Sequence, residues 1–423
     1  MKNIRASLTS TLSFFGATSP EALASTFGSP LYVYNESILR NSCRVIKNLV
    51  DLPGYSPAFS TKANGNPHLL RIIREEGLLG DALSPGEVHI LHAAGFTKES
   101  IHYVCNNVSP DELAFAAENA SIASVDSISQ LETFGQVNPG ARVMVRLNPG
   151  IGAGHHQKVI TAGKNTKFGI SLDDLATMQA VAKQYNLVLA GINQHVGSLF
   201  MEGKPYLDAA DWLLGAAEHF PDLEYIDFGG GFGIPYRKYD GEAPLDMASF
   251  GKALTDLIGQ WQKKTGFRGK FVVEPGRFVV AECGLLLGTV HATKNNGPTR
   301  YVGTDMGFPV LIRPAMYDSF HDFEIYGDNS LPRETIPQTI VGNICETGDI
   351  LAKDRDLPEI HRGDLLGVLD AGAYGMSMAS NYNQRYRPAE VLIDTDGRAR
   401  CIRRRDTLDD ILAPYLLDGP TRK

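Results

Sequence analysis

The chain has 423 residues, 43% hydrophobic and 21% charged, which is ordinary globular composition and enough length for two domains. Its formal net charge of -8 and sequence pI near 5.8 argue against a nucleic-acid-binding surface, which needs clustered Lys and Arg. No apolar run approaches the roughly 20 residues of a membrane span, and five cysteines without C-x-x-C spacing fit a reduced, cytosolic compartment.

At the N-terminus, Lys2 and Arg5 precede the stretch 8–17. Thr9, Ser10, Thr11 and Ser13 interrupt it, so it makes a poor signal-peptide core. The apolar run 31–34 either joins a later β domain or leads into the unit that follows. From residue 55 short apolar runs alternate with amphipathic stretches. Strands are predicted over 55–61, 80–83, 101–105, 121–125, 142–147, 187–195, 224–228 and 270–274. Helical patterns lie between them, for example 67–76, 85–94, 110–119, 172–184 and 247–265. Pro67, Pro85 and Pro110 fall in first turns, where a missing N–H costs nothing.

Eight β/α units predict an α/β fold: a (β/α)8 TIM-like barrel. A doubly wound open sheet would carry its glycine fingerprint after the first strand, whereas here the glycines follow the seventh. After Gly284 the pattern changes to short runs at 285–292, 301–303, 338–341, 364–369, 389–394 and 398–402, separated by turns such as Asp396-Gly397. These predict a C-terminal, mostly β domain. The expected division is an N-terminal segment at 1–34, the barrel at 35–284 and the β domain at 285–423. The basic cluster Arg403-Arg404-Arg405, followed by Asp406, reads as a solvated strand end.

Barrel active sites lie at the C-terminal ends of the strands. The first strand is followed by Lys62, the sixth by His195 and Ser198, the seventh by Gly229-Gly230-Gly231, and the eighth by Glu274-Pro275-Gly276-Arg277. A partly buried lysine supplies the free amine of imine chemistry, although a strand-end lysine can also snorkel. Three consecutive glycines let backbone N–H groups approach an anion such as a phosphate. A carboxylate at Glu274 needs a partner, either a pyridinium nitrogen or Arg277. His195 can stack on a planar ring or be a hydrogen-bonded core histidine. His155 and His156 are adjacent and lack further ligands, so they read as loop residues and no metal site is expected.

Six segments together resemble the fold-type III pyridoxal-phosphate decarboxylases, an alanine-racemase-like fold, and within them the diaminopimelate decarboxylase family. They are Thr61-Lys62-Ala63-Asn64, the stretch 227–236, Glu274-Pro275-Gly276-Arg277, Ile312-Arg313-Pro314-Ala315-Met316-Tyr317, Cys345-Glu346-Thr347-Gly348-Asp349 and Asp370-Ala371-Gly372-Ala373-Tyr374-Gly375. The resemblance runs from about residue 30 to 412. It implies pyridoxal 5'-phosphate held by Lys62 as an imine, His195 stacked on the ring and Glu274 paired with the ring nitrogen. Asp81, Ser198, Gly229, Gly230, Gly231, Gly276, Arg277 and Tyr374 complete the implied cofactor site. Arg277, Arg313, Tyr317, Glu346 and Tyr374 would bind the substrate. Cys345, with Lys62 as rival, would reprotonate Cα.

The implied activity is decarboxylation of meso-2,6-diaminopimelate to L-lysine and CO2, in a cytoplasmic homodimer whose partner supplies Cys345 and Glu346. The alternative is a sister decarboxylase acting on a carboxylated polyamine, lysine or ornithine. A racemase would need a second base, and a non-catalytic cofactor carrier would lack the second-domain motifs. Three departures border the pocket: Asn193-Gln194 where the family carries a histidine, Thr347 where it carries a serine, and the segment 152–167.

Overall fold

The structure, a computed structural model, describes residues 7–150, 166–327 and 333–415. His155 and His156, most of the 152–167 segment, Lys2 and Arg5 lie outside the described residues. The chain divides into two compact units, one comprising 38–235 and 242–281, the other 1–37, 236–241 and 282–423. The excursion at 236–241, which clusters with the second unit, has no signature in the local sequence pattern.

The first unit is a closed parallel barrel. If β1 is the preceding strand Leu31–Asn35, the barrel strands are β2 (Tyr55–Ser60), β3 (Leu79–Ala82), β4 (Ile101–Val104), β5 (Ile122–Val125), β6 (Arg142–Arg146), β7 (Val188–Asn193), β8 (Tyr225–Asp227) and β9 (Lys270–Val273). The ring closes where β2 pairs with β9, Tyr55 opposite Phe271. Seven fall within predicted runs and β3 begins one residue before its own, and the (β/α)8 expectation holds. Helices Pro67–Glu75, Pro85–Ala93 and Pro110–Asn119 start as predicted. Asn66, Ser84 and Ser109 cap them, each accepting a backbone N–H two or three residues on. Ala58, Ile122, Met144, Tyr225 and Val272 pack as one buried cluster, in which burial of an Ile, Met or Val side chain contributes roughly 1.5–3 kcal/mol.

The second unit is a mostly antiparallel sheet. Its strands are β10 (Gly284–Asn296), β11 (Thr299–Thr304), β12 (Phe323–Tyr326), β13 (Thr335–Val341), β14 (Ile350–Pro358), β15 (Leu365–Val368), β16 (Ala389–Ile393) and β17 (Ala399–Arg403). The order is β14-β13-β11-β10-β1-β16-β17, with β15 pairing β10 and β12. The run at 31–34 therefore belongs to the sheet: β1 lies antiparallel to β10 and parallel to β16. Every residue of β1 is buried, as a central strand covered on both faces requires.

The arginine cluster is solvated at Arg404, as expected, while Arg403 and Arg405 are half-buried. Arg403 pairs with the buried Asp406, Arg404 reaches Asp410 at 2.5 Å, and Arg405 donates to the Pro30 carbonyl at 2.6 Å. The acidic residues that follow the cluster neutralise it locally.

Candidate active site

In the barrel unit, Lys62 stands in a 3-10 turn, Thr61–Ala63, that continues β2. It is half-buried, and its charge acts on three carboxyls, Asp81, Glu87 and Glu274. Asp81, next to last in the neighbouring strand β3, accepts from Ser60 Oγ at 2.9 Å. Ser60 N donates to the Pro275 carbonyl at 3.0 Å, which ties the end of β2 to the loop after β9.

Three loops are stitched together around Gly229. Its carbonyl accepts from Glu274 N at 2.9 Å and from Tyr206 Oη at 2.9 Å. Phe200 N donates to the Gly231 carbonyl, and Gly233 N to the Phe200 carbonyl, both at 3.0 Å. Phe200, Tyr206, Phe232 and Phe250 pack in ring contact beneath these bonds.

This stitching gives the glycines a reason beyond a ligand. A Cβ at Gly229 would lie 2.2 Å from the Gln194 carbonyl, one at Gly230 2.0 Å from the Glu274 carbonyl, and one at Gly231 2.5 Å from the Gly197 carbonyl. Only glycine permits that approach. Two of the three N–H groups also turn to protein acceptors. Gly229 N donates to Asp227 Oδ1 at 2.9 Å, and Gly230 N to His195 Nδ1 at 3.2 Å. The N–H of Gly231 meets no acceptor among the described residues.

His195 Nδ1 also lies 3.6 Å from Glu274 Oε2. One nitrogen cannot both accept from Gly230 and donate to Glu274, and 3.6 Å is too long for a hydrogen bond. The Gly230 bond therefore takes precedence, which leaves the neutral ring protonated on Nε2. Burial, which pushes the imidazolium down, agrees. Burial opposes ionisation of Glu274, but the charge of Lys62 beside it favours ionisation, and its pKa lies below the usual range. Asp227 behaves oppositely: burial, then the charge of Glu274, hold its carboxyl well above the usual value. Asp81 is raised in the same way, by burial first and Glu274 second. The cluster thus keeps one carboxylate ionised and its two neighbours inclined to hold protons.

Several buried polar atoms here make no hydrogen bond among the described residues: Thr61 Oγ1, Asp81 Oδ1, Asp227 Oδ2, Glu274 Oε1 and both amide atoms of Gln194. Buried polar groups are seldom left so unless something else meets them. Ser198 Oγ, which accepts from Arg277 Nη2 at 2.9 Å, sits beside Leu199 at φ +63°. A leucine in that region costs roughly 1–2 kcal/mol, and such strain concentrates at functional sites. Gly276 lies between Glu274 and Arg277 in the loop that leads to the helix Arg277–Val280. A lysine amine, an unmet buried carboxylate oxygen and a strained serine loop beside an available glycine amide fit pyridoxal phosphate.

Two groups of this site escaped the reading of strand ends. Arg146 closes β6, with its guanidinium carbon 4.6 Å from the Phe168 ring centre. Burial lowers its pKa against the pull of Glu274, Asp126, Asp227 and Asp81. The strand-end rule applied to the fifth barrel strand would have found it. Asp227 is visible in the sequence only as the start of the glycine run.

In the sheet unit, Arg313 opens the helix Arg313–Tyr317 and is buried, with Tyr317 half-buried at its end. Tyr374 is half-buried at φ +56°, four residues after Asp370 at φ +55°. Two non-glycine residues in the left-handed region of one short loop mark it as strained. Cys345 and Glu346 are exposed, and Asn383 Nδ2 donates to Cys345 Sγ at 3.4 Å.

The family model described as "Pyridoxal-dependent decarboxylase, pyridoxal binding domain" matches residues 36–281. The chain is 37% identical over 406 residues to the diaminopimelate decarboxylase of Methanothermobacter thermautotrophicus, covering 94% of each chain. It is 36% identical to that of Escherichia coli K12, covering 93% of this chain and 96% of the other. A solved diaminopimelate decarboxylase from Helicobacter pylori, complexed with L-lysine, superposes with a TM-score of 0.86 at 28% identity, covering 94% of this chain and 99% of that one.

Proposed function

This chain belongs to the diaminopimelate decarboxylase family of pyridoxal-dependent decarboxylases, and from that premise we propose that it converts meso-2,6-diaminopimelate to L-lysine and CO2 in lysine biosynthesis. The observation that carries the reading is identity of 37% sustained over 94% of both chains, which spans the barrel and the sheet unit alike. Pyridoxal phosphate is the cofactor. The chemistry it supplies when bound is delocalisation of the electron pair left at Cα as CO2 departs.

The protein's own groups do the rest. Lys62 Nζ would hold the cofactor covalently, and Glu274, kept ionised by its neighbours, would hold a proton at the ring nitrogen. His195, a neutral ring braced by Gly230 N, would stack on the cofactor plane. Asp81 would support Lys62 and Glu274 from the next strand. Ser198, the Gly229–Gly231 loop, Gly276, Arg277 and Tyr374 would bind phosphate. Arg277, Arg313 and Tyr317 suit a distal carboxylate, and Glu346 a distal ammonium. Together they describe the zwitterionic far end of diaminopimelate. An ornithine or arginine side chain offers no such carboxylate and would leave the arginines unmatched.

Cys345 would deliver the proton to Cα, with Lys62 as rival. Its exposure, and that of Glu346, supports a homodimer in which both are lent to the partner's site. Among the described residues no helix is long and apolar enough to cross a membrane; the five cysteines form no disulfide, which suits a reduced, cytoplasmic location. The test is CO2 release by the purified holoenzyme. Diaminopimelate should be turned over at least about a hundredfold faster in kcat/KM than lysine, ornithine or arginine, since a site with buried polar groups rejects analogues that leave them unpaired. Preference for ornithine or arginine would overturn the substrate while leaving the cofactor reading.

A further inference from the structure

The loop after the helix Arg313–Tyr317 carries an arrangement that none of the motifs includes. Asp318 adopts the left-handed conformation, φ +52°, and turns the chain so that His321, just before β12, faces Arg313. Both side chains are almost fully buried, at 1% and 2% exposure. Arg313 Nη1 and His321 Nε2 are 2.8 Å apart, and His321 Nδ1 lies 2.8 Å from the Leu369 carbonyl.

The partners fix the tautomer. A guanidinium only donates, so Nε2 must accept; a carbonyl only accepts, so Nδ1 must carry the proton. His321 is therefore a neutral ring with one assigned role at each nitrogen. The Tyr236 ring restrains the same group from another side. Its centre lies 4.7 Å from the Arg313 guanidinium carbon, and it meets His321 edge-to-face at 5.1 Å and 76°. The Leu369 end is anchored as well, because Leu369 N donates to the Asp322 carbonyl at 3.0 Å. Leu369 immediately precedes the strained loop from Asp370 to Tyr374. His321 thus ties the arginine of one recognition segment to the backbone of the other.

We propose that His321 is a positioning residue for the substrate's distal carboxylate, which sets the Arg313 guanidinium in register with the Tyr374 loop. The inference rests on the proposed role of Arg313 as a ligand of that carboxylate. A guanidinium is selective for a carboxylate only when its fork is held in one plane and direction. Both the acceptor that holds it and the ring beneath it are neutral, so they direct the group without cancelling its charge.

The experiment compares His321→Leu, His321→Gln and Arg313→Met holoenzymes. It measures KM and kcat for diaminopimelate, and inhibition by L-lysine, which keeps the carboxylate, against cadaverine, which lacks it. His321→Leu should raise KM and the lysine inhibition constant roughly ten- to hundredfold, the effect of losing a hydrogen bond to a charged group. Cadaverine inhibition, cofactor content and the visible spectrum should stay as in the parent. Glutamine offers an acceptor to Arg313 and a donor to Leu369, so His321→Gln should recover most of the loss.

If Arg313→Met raises the lysine constant and His321→Leu does not, the positioning role is overturned while the Arg313 reading stands. If neither moves it, both fall. Equal weakening of lysine and cadaverine in the histidine variants would show a merely structural role and overturn the proposal. His321→Gln supplies the same comparison if the leucine variant does not fold.

Discussion

On β4, His102 is 1% exposed, meets Tyr225 edge-to-face at 5.5 Å, and bonds through neither ring nitrogen among the described residues. Burial pushes its imidazole down to about 4. The sign of the linkage follows: between about 6.5 and 4 the unfolded chain binds a proton that the folded chain excludes, so stability falls as pH falls through that window. His102→Phe removes both the unmet polar group and the proton uptake. It should be more stable than the parent by about 1 kcal/mol at pH 7.5. The advantage should grow by about 2 kcal/mol at pH 5, as read from denaturation midpoints. A pH-independent difference would show that the ring is protonated in the native state. At this scale the sequence exposes residues that a positional rule can find: Lys62, His195, Ser198 and Glu274 each follow a strand. Asp227 is hidden because a carboxyl inside a buried strand looks like the start of its glycine turn. His321 is hidden because its partners, at 313 and 369, lie 8 and 48 residues away and meet it only in the folded sheet unit.

Among the elements, the glycine loop is defined by contacts with its neighbouring loops. Gly230→Ala would drive a Cβ to 2.0 Å from the Glu274 carbonyl. Backbone cannot yield as a side chain can, and overpacking of this kind costs roughly 1–3 kcal/mol. The variant should therefore bind pyridoxal phosphate about ten- to hundredfold more weakly while keeping its far-ultraviolet circular dichroism. Gly215→Ala, in a helix with open space at the Cβ position, should leave cofactor affinity unchanged; equal losses in the two would remove the argument. The barrel elements are readable because each strand and helix is a local pattern with a local cap. The sheet unit is less so. β12 and β14 are absent from the predicted runs, and β10 extends well past its predicted end. Its pairings join residues far apart in sequence, as with Leu31 opposite both Leu287 and Ala389. Long-range pairing of that kind overrides local strand preference.

For the whole molecule, Lys62 and Glu274 belong to the barrel unit, and Arg313, Cys345, Glu346 and Tyr374 to the sheet unit. If partners exchange Cys345, mixing inactive Lys62→Ala and Cys345→Ala proteins should regenerate one intact site per mixed dimer, about half the parent activity per dimer. Verified mixed dimers with no activity would show that each chain completes its own site. All of this depends on which lysine carries the cofactor. Borohydride reduction of the holoenzyme followed by peptide mass spectrometry measures that directly. The pyridoxyl group is predicted on Lys62, in the peptide containing Thr61-Lys62-Ala63; its recovery on any other lysine would contradict the account.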